Sequence, residues 1–196
     1  MDTYVYQVGG KNYINLTNRC NNACDFCIRQ NKVGIPGFSL WLEKEPEAGE
    51  VIAQLDAAGR GDVVFCGYGE PTLRLDVLKE VAAYVKSYGG KVRVNTNGLA
   101  NREYGRDVVP ELENLVDVMS ISLNEASAEK YDAVCHSIYG PAAFDEMLDF
   151  ARRCAGARMD TVLSVVDVIS PEDIAVCREI AEKVGARLRV REYSAE

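Results

Sequence analysis

A single histidine, His136, and a single tryptophan, Trp41, occur among 196 residues. No apolar run approaches the length needed to cross a bilayer, so a membrane partner is not expected. Basic residues are short as well: 22 Lys and Arg against 30 Asp and Glu leave a formal net charge of −8 and a pI near 4.8. That balance disfavours a nucleic-acid partner, because gripping a phosphate backbone takes many Lys and Arg contacts. The opening, Met1 to Tyr6, has no basic segment followed by an apolar stretch, so no secretory leader is read and a cytoplasmic protein is expected. Repeats, low-complexity tracts and linker-like segments are absent too. With 47% hydrophobic and 27% charged residues, 1–196 reads as a single domain able to bury a substantial core.

What the chain does have is seven cysteines, three of them close together. Cys20, Cys24 and Cys27 stand in the string Cys-Asn-Asn-Ala-Cys-Asp-Phe-Cys, directly after a short apolar strand. No fourth ligand lies near, and His136 comes far downstream. A structural zinc site is closed by four protein ligands, whereas a cubic iron–sulfur cluster held by three thiolates keeps one iron open to a small molecule. Zinc is therefore the weaker account. A disulfide framework is weaker still, since Cys66, Cys135, Cys154 and Cys177 are scattered singly and seven is an odd number. Those four read as small core residues.

Downstream, apolar strand-like runs alternate with amphipathic helix-like stretches, the pattern of parallel βα units. Six strands are expected: Tyr13 to Leu16, Val63 to Cys66, Val92 to Asn95, Val118 to Leu123, Val162 to Val168 and Leu188 to Arg191. Helices are expected over Pro46 to Ala58, Leu75 to Tyr88 and Pro171 to Val184, each followed by glycine, and over Pro141 to Cys154 with Phe144, Met147, Leu148 and Ala151 facing the core. Six βα units are two short of a closed eight-fold barrel. The fold class is thus α/β, a partial (β/α)6 TIM-like barrel with its site at the C-terminal ends of the strands.

The C-x3-C-x2-C spacing, with Phe26 before its last cysteine, resembles the signature of the radical S-adenosylmethionine (SAM) superfamily, whose core is such a partial barrel. The resemblance implies a [4Fe-4S] cluster on Cys20, Cys24 and Cys27, with SAM on the open iron and Phe26 beside cluster or adenine, core packing being the alternative. Above the second strand, Cys66-Gly67-Tyr68-Gly69-Glu70-Pro71 looks like the superfamily's Gly-Gly-Glu-Pro motif with Tyr68 inserted. It would place Gly67, Tyr68, Gly69 and Glu70 at the methionine amino group; a plain glycine turn is the bland account. Asn95 in Asn95-Thr96-Asn97-Gly98, then Ser122 and Asn124 at the end of the fourth strand, match positions that contact SAM in relatives. A turn and a helix cap are their ordinary alternatives. On the fifth strand the usual Gly-x-Ile-x-Gly is missing, and Val166 is left to offer an apolar contact to adenine. Arg189 and Arg191 share one face of the last strand, either as a solvated edge or reaching an anionic substrate or the SAM carboxylate.

Runs around the cysteines, Phe38 to Pro46, Val63 to Pro71 and Arg189 to Tyr193 are similar to the small TatD-associated radical SAM proteins, which implies a functional link to a TatD-type hydrolase. The implied chemistry begins with an electron from a flavodoxin- or ferredoxin-like donor, cleaves SAM to a 5′-deoxyadenosyl radical and takes hydrogen from a substrate. Two other readings stay open: an activase that installs a glycyl radical on a partner, and a non-catalytic iron–sulfur electron-transfer or sensing module.

Overall fold

The computed structural model of the chain describes residues 2–29 and 37–192, so Tyr193, at the end of the last similar run, lies outside the described residues. One seven-stranded sheet carries the fold, in the sequential order β1 (Val5–Val8), β2 (Lys11–Ile14), β3 (Val63–Phe65), β4 (Val92–Thr96), β5 (Val118–Ser122), β6 (Asp160–Val166) and β7 (Arg187–Arg191). The strands from β2 to β7 pair parallel, giving the six expected strands, and β1 adds a seventh by pairing antiparallel with β2. The hairpin turns on Gly9 and Gly10, both at positive φ (56° and 75°), the geometry a two-residue turn of matching twist demands. β1 and β7 do not pair, and the arc stays open between them: a partial barrel.

Helices cover the outer face because each presents an apolar stripe to it. On α2 (Leu75–Ser87), Leu75, Leu78, Val81, Ala82 and Val85 are buried at three- and four-residue spacing. On α6 (Ala142–Gly156), Phe144, Met147, Leu148 and Ala151 are buried as expected. α7 (Pro171–Val184) starts at Ser170, whose hydroxyl accepts from the Asp173 N–H, and stops at Gly185 in the left-handed region. α1 (Ala48–Ala58) begins two residues later than expected, after a reciprocal cap between Glu47 and Glu50. Three short helices were not foreseen: α3 (Ala100–Tyr104), α4 (Val109–Leu112) and α5 (Ala128–Cys135). No helix among the described residues is long and apolar enough to cross a membrane.

Inside the arc, strand register stacks the inward residues in rows. Asn95 pairs with Ser120, Ser164 with both Ser122 and Arg189, and Val166 with Arg191. Side chains alternate between sheet faces, so the row-mates from Arg93 to Arg191 turn toward the concave side, away from the helices.

Candidate functional site

The loops at the C-terminal ends of β2, β3 and β4 are tied together by buried hydrogen bonds. The Glu70 carboxylate, 3% exposed, accepts from the Thr72 N–H and hydroxyl, the Thr96 hydroxyl and the Asn97 N–H at 2.7–3.0 Å. Four donors offset much of the cost of burying a carboxylate, which alone would be several kcal/mol. Burial raises the Glu70 pKa above the usual carboxylate range, and the donors pull against it. The Glu70 N–H in turn donates to the Arg19 carbonyl at 2.8 Å, and Asn97 hydrogen-bonds Asn21. Glycine is required where these loops meet: a Cβ at Gly69 would stand 2.3 Å from the Thr17 carbonyl oxygen, and one at Gly67 would stand 2.1 Å from Asn15 Oδ1. The glycines serve the packing of loop on loop.

The cysteine loop is also docked on α5. Ala23 and Asp25 N–H groups donate to the Cys135 and Val134 carbonyls at 2.9 and 3.0 Å, satisfying acceptors at the helix C-terminus. His136 ends that helix in the left-handed region (φ 44°), its Nε2 2.9 Å from Asp25 Oδ1, outside the cavity. Its role there is structural.

Between these loops and the inner strand face lies a cavity of about 260 Å³. Cys20, Cys24 and Cys27 line it together with Phe26, Gly67, Tyr68, Gly69, Glu70, Asn95, Ser122 and Asn124. Val166 is the exception. It is buried near the end of β6 but is not in the wall; Ser164, one inward position earlier, takes that place. The strand spans Asp160–Val166, ending two residues before the expected Val168, so Val166 is its last residue and Ser164 is the inward position that reaches the cavity. Cys66, expected in the core, also lines the cavity, while Cys135, Cys154 and Cys177 are buried. Asn22, Arg93, Thr96, Asn97, Ser120 and Ser164 join the wall unforeseen, and Arg189 and Arg191 close it from β7.

The thiols line one cavity without being gathered at a point, and among the described residues no three Cys, His, Asp or Glu side chains form a ready metal cage. A hydrogen bond with Cys135 and burial raise the Cys24 pKa, while burial and the Glu70 charge push Cys20 up to about 12. Taking up a metal group would therefore release protons from both. The donor set suits an iron–sulfur cluster: three sulfurs on one loop, with neither imidazole nor a free carboxylate in the wall. Asn22 and Asn124 add side-chain oxygens that are buried and unpartnered among the described residues, acceptors suited to ammonium or hydroxyl groups of a ligand. Asn124 is held with φ at 62°, its Nδ2 3.3 Å from Cys135 Sγ, a conformation asparagine tolerates better than most residues.

The model of the Radical SAM superfamily matches residues 14–184. An uncharacterized protein of Methanocaldococcus jannaschii is 33% identical over 119 residues, 60% of this chain and 35% of its own length. The probable GTP 3′,8-cyclase of Thermococcus kodakarensis is 26% identical over 183 residues, 93% of this chain and 56% of its own. The chain thus spans about a third to just over half the length of these curated relatives. Among solved structures, Streptococcus suis SuiB bound to S-adenosylmethionine superposes with a TM-score of 0.70 at 17% identity, over 94% of this chain and 40% of SuiB, a likeness of fold.

Proposed function

The chain belongs to the radical SAM superfamily, whose enzymes use a [4Fe-4S] cluster and SAM, and on that premise we propose that it takes a hydrogen atom from a substrate held in the barrel. The observation that carries the reading is the convergence of three cysteines and two strand-end loops on one cavity, locked by the Glu70 hydrogen bonds. Cys20, Cys24 and Cys27 would hold the cluster. When bound, the cluster and SAM would supply the one-electron reductive cleavage of SAM, with a flavodoxin- or ferredoxin-like donor as the source of the electron.

The protein's own residues bind, orient and exclude water. Gly67 to Gly69 present backbone to the cavity, and the free oxygens of Asn22 and Asn124 accept from the ligand's N–H or O–H groups. Glu70 acts through the loops it holds, because both its oxygens are already engaged. Phe26 and Tyr68 supply apolar wall on the cysteine side, and Asn95 and Ser122 supply polar wall on the strands. Seven cysteines without a disulfide support a reducing, cytoplasmic setting. The runs shared with the TatD-associated proteins support a functional link to a TatD-type hydrolase.

Anaerobic reconstitution with iron and sulfide, followed by dithionite and SAM, tests this. 5′-Deoxyadenosine is expected from the wild-type protein and not from Cys24→Ala, and its absence from both overturns the reading. A glycyl radical appearing on a partner polypeptide would instead assign the product to the activase reading.

A further inference from the structure

The chain carries a net negative charge, yet three arginines line its cavity with no carboxylate paired to them among the described residues. Seven other arginines, Arg74, Arg153 and Arg187 among them, form ion pairs with Asp or Glu. Arg93, Arg189 and Arg191 form none among the described residues. The one carboxylate in the same wall, Glu70, is taken up by its four donors.

Arg93 is fixed in place by neutral partners. Its Nε donates to Asn95 Oδ1 and its Nη2 to Ser120 Oγ, both at 2.8 Å. A guanidinium has five N–H donors, so three remain for something else. Burial and the neighbouring Arg189 charge lower the pKa of Arg93, and burial does the same for Arg191, with Cys66 opposing and Arg189 adding. Like charges thus share one wall with no ion-paired carboxylate among the described residues. Arg189 and Arg191 stand two residues apart on one face of β7, roughly 7 Å along the strand. Ser122 and Ser164 lie in the register row of Arg189 and offer hydroxyls beside it.

A single carboxylate, such as that of SAM, is satisfied by one guanidinium in a two-pronged pair. Three guanidiniums on two strands exceed that need. We propose that Arg93, Arg189 and Arg191 form the substrate-anion site of this cavity, and that the substrate is a small molecule bearing at least two adjacent negative charges, as phosphoryl or carboxylate groups. The proposal rests on the reading of the cavity as the reaction chamber.

The test uses reconstituted protein with SAM bound and inorganic pyrophosphate as probe, with tricarballylate as the carboxylate arm and acetate as the singly charged control, followed by calorimetry. Arg93 is held within the sheet by Asn95 and Ser120, so the variants are made on β7, at the edge of the sheet. Binding of pyrophosphate, tricarballylate or both, but not acetate, is expected. Arg191→Gln should weaken it about tenfold or more, and the double change Arg189→Gln with Arg191→Gln should remove it. Arg187→Gln, on the same strand but paired with Asp160, should leave it unchanged. SAM affinity should stay within about threefold throughout, since the loops that meet SAM are untouched. Three results overturn the proposal: neither polyanion binds, both bind equally well to the double variant, or the double variant loses SAM affinity while pyrophosphate competes with SAM. The last would make these arginines the partners of the SAM carboxylate. Failure of the radical reading is separate, because wild-type protein would then yield no 5′-deoxyadenosine while still binding the polyanion.

Discussion

The two halves of the barrel are built on different terms. After β2, β3 and β4 the loops interlock: Glu70 joins two of them, its N–H reaches the third at Arg19, and Gly69 admits that contact only by lacking a side chain. After β5, β6 and β7 the wall is made of serine hydroxyls and unpaired guanidiniums, and it ends at the open edge of β7. A cofactor of one fixed shape suits a half whose loops are already locked to one another. Unspent donors on exposed strand positions suit a ligand that arrives separately and supplies the missing acceptors.

The sharpest way to break the comparison is at the cysteines. Cys20→Ala should leave reconstituted protein without iron–sulfur absorption, while its melting transition stays close to that of the cluster-free wild type. An unchanged spectrum with bound zinc would remove the cofactor half altogether. Gly69→Ala comes next: its Cβ would stand 2.3 and 2.5 Å from two carbonyl oxygens of the cysteine loop, and backbone cannot swing aside as a side chain can. A loss of about 3 kcal/mol or more is expected in denaturant unfolding. Gly49→Ala is the matched control. Gly49 lies within α1 with open space around it, so alanine there should stabilise by roughly 0.5–1 kcal/mol. Equal effects at Gly69 and Gly49 would mean the loops do not interlock. Glu70→Gln is milder, because one amide oxygen can still accept while the NH2 group faces a donor such as the Asn97 N–H. About 1–3 kcal/mol is expected, read by the same unfolding measurement.

These halves also differ in how plainly they can be read from residues. Cysteine spacing and the glycines of Gly67 to Gly69 are local signals, and they mark the interlocked half in the sequence itself. The Gly9-Gly10 turn was equally local and marks β1, a strand the six-unit reading passed over. The second half hides behind an ambiguity of alternation. Val92-Arg93-Val94-Asn95 reads as one apolar and one polar face, and in a flat sheet the polar face belongs to solvent. In an arc it belongs to the lumen, as the expected places of Asn95 and Ser122 already imply, but the motifs mark only strand ends, and Arg93, Ser120 and Ser164 lie one inward step back from them. Val166 differs in another way: it shares the inward phase of Ser164 but lies one inward step further along β6, outside the wall. The helix α5 carried no terminal glycine, since His136 takes the left-handed position there, and the usual stop signal was missing.

The smallest expected effect divides the halves most cleanly. Ser122 lines the cavity between the two sets of walls, half-buried, in the row that also holds Ser164 and Arg189. Removing its hydroxyl leaves no larger void than one oxygen, so Ser122→Ala should change unfolding free energy by no more than about 0.5 kcal/mol. If the row belongs to the substrate-anion site, pyrophosphate affinity should fall a few-fold, the worth of one hydrogen bond to a charged group exposed to competing water, while SAM affinity holds. If SAM affinity falls instead, the boundary between cofactor and substrate lies one row deeper, at Asn95 and Ser120, and Arg93 alone is left on the substrate side.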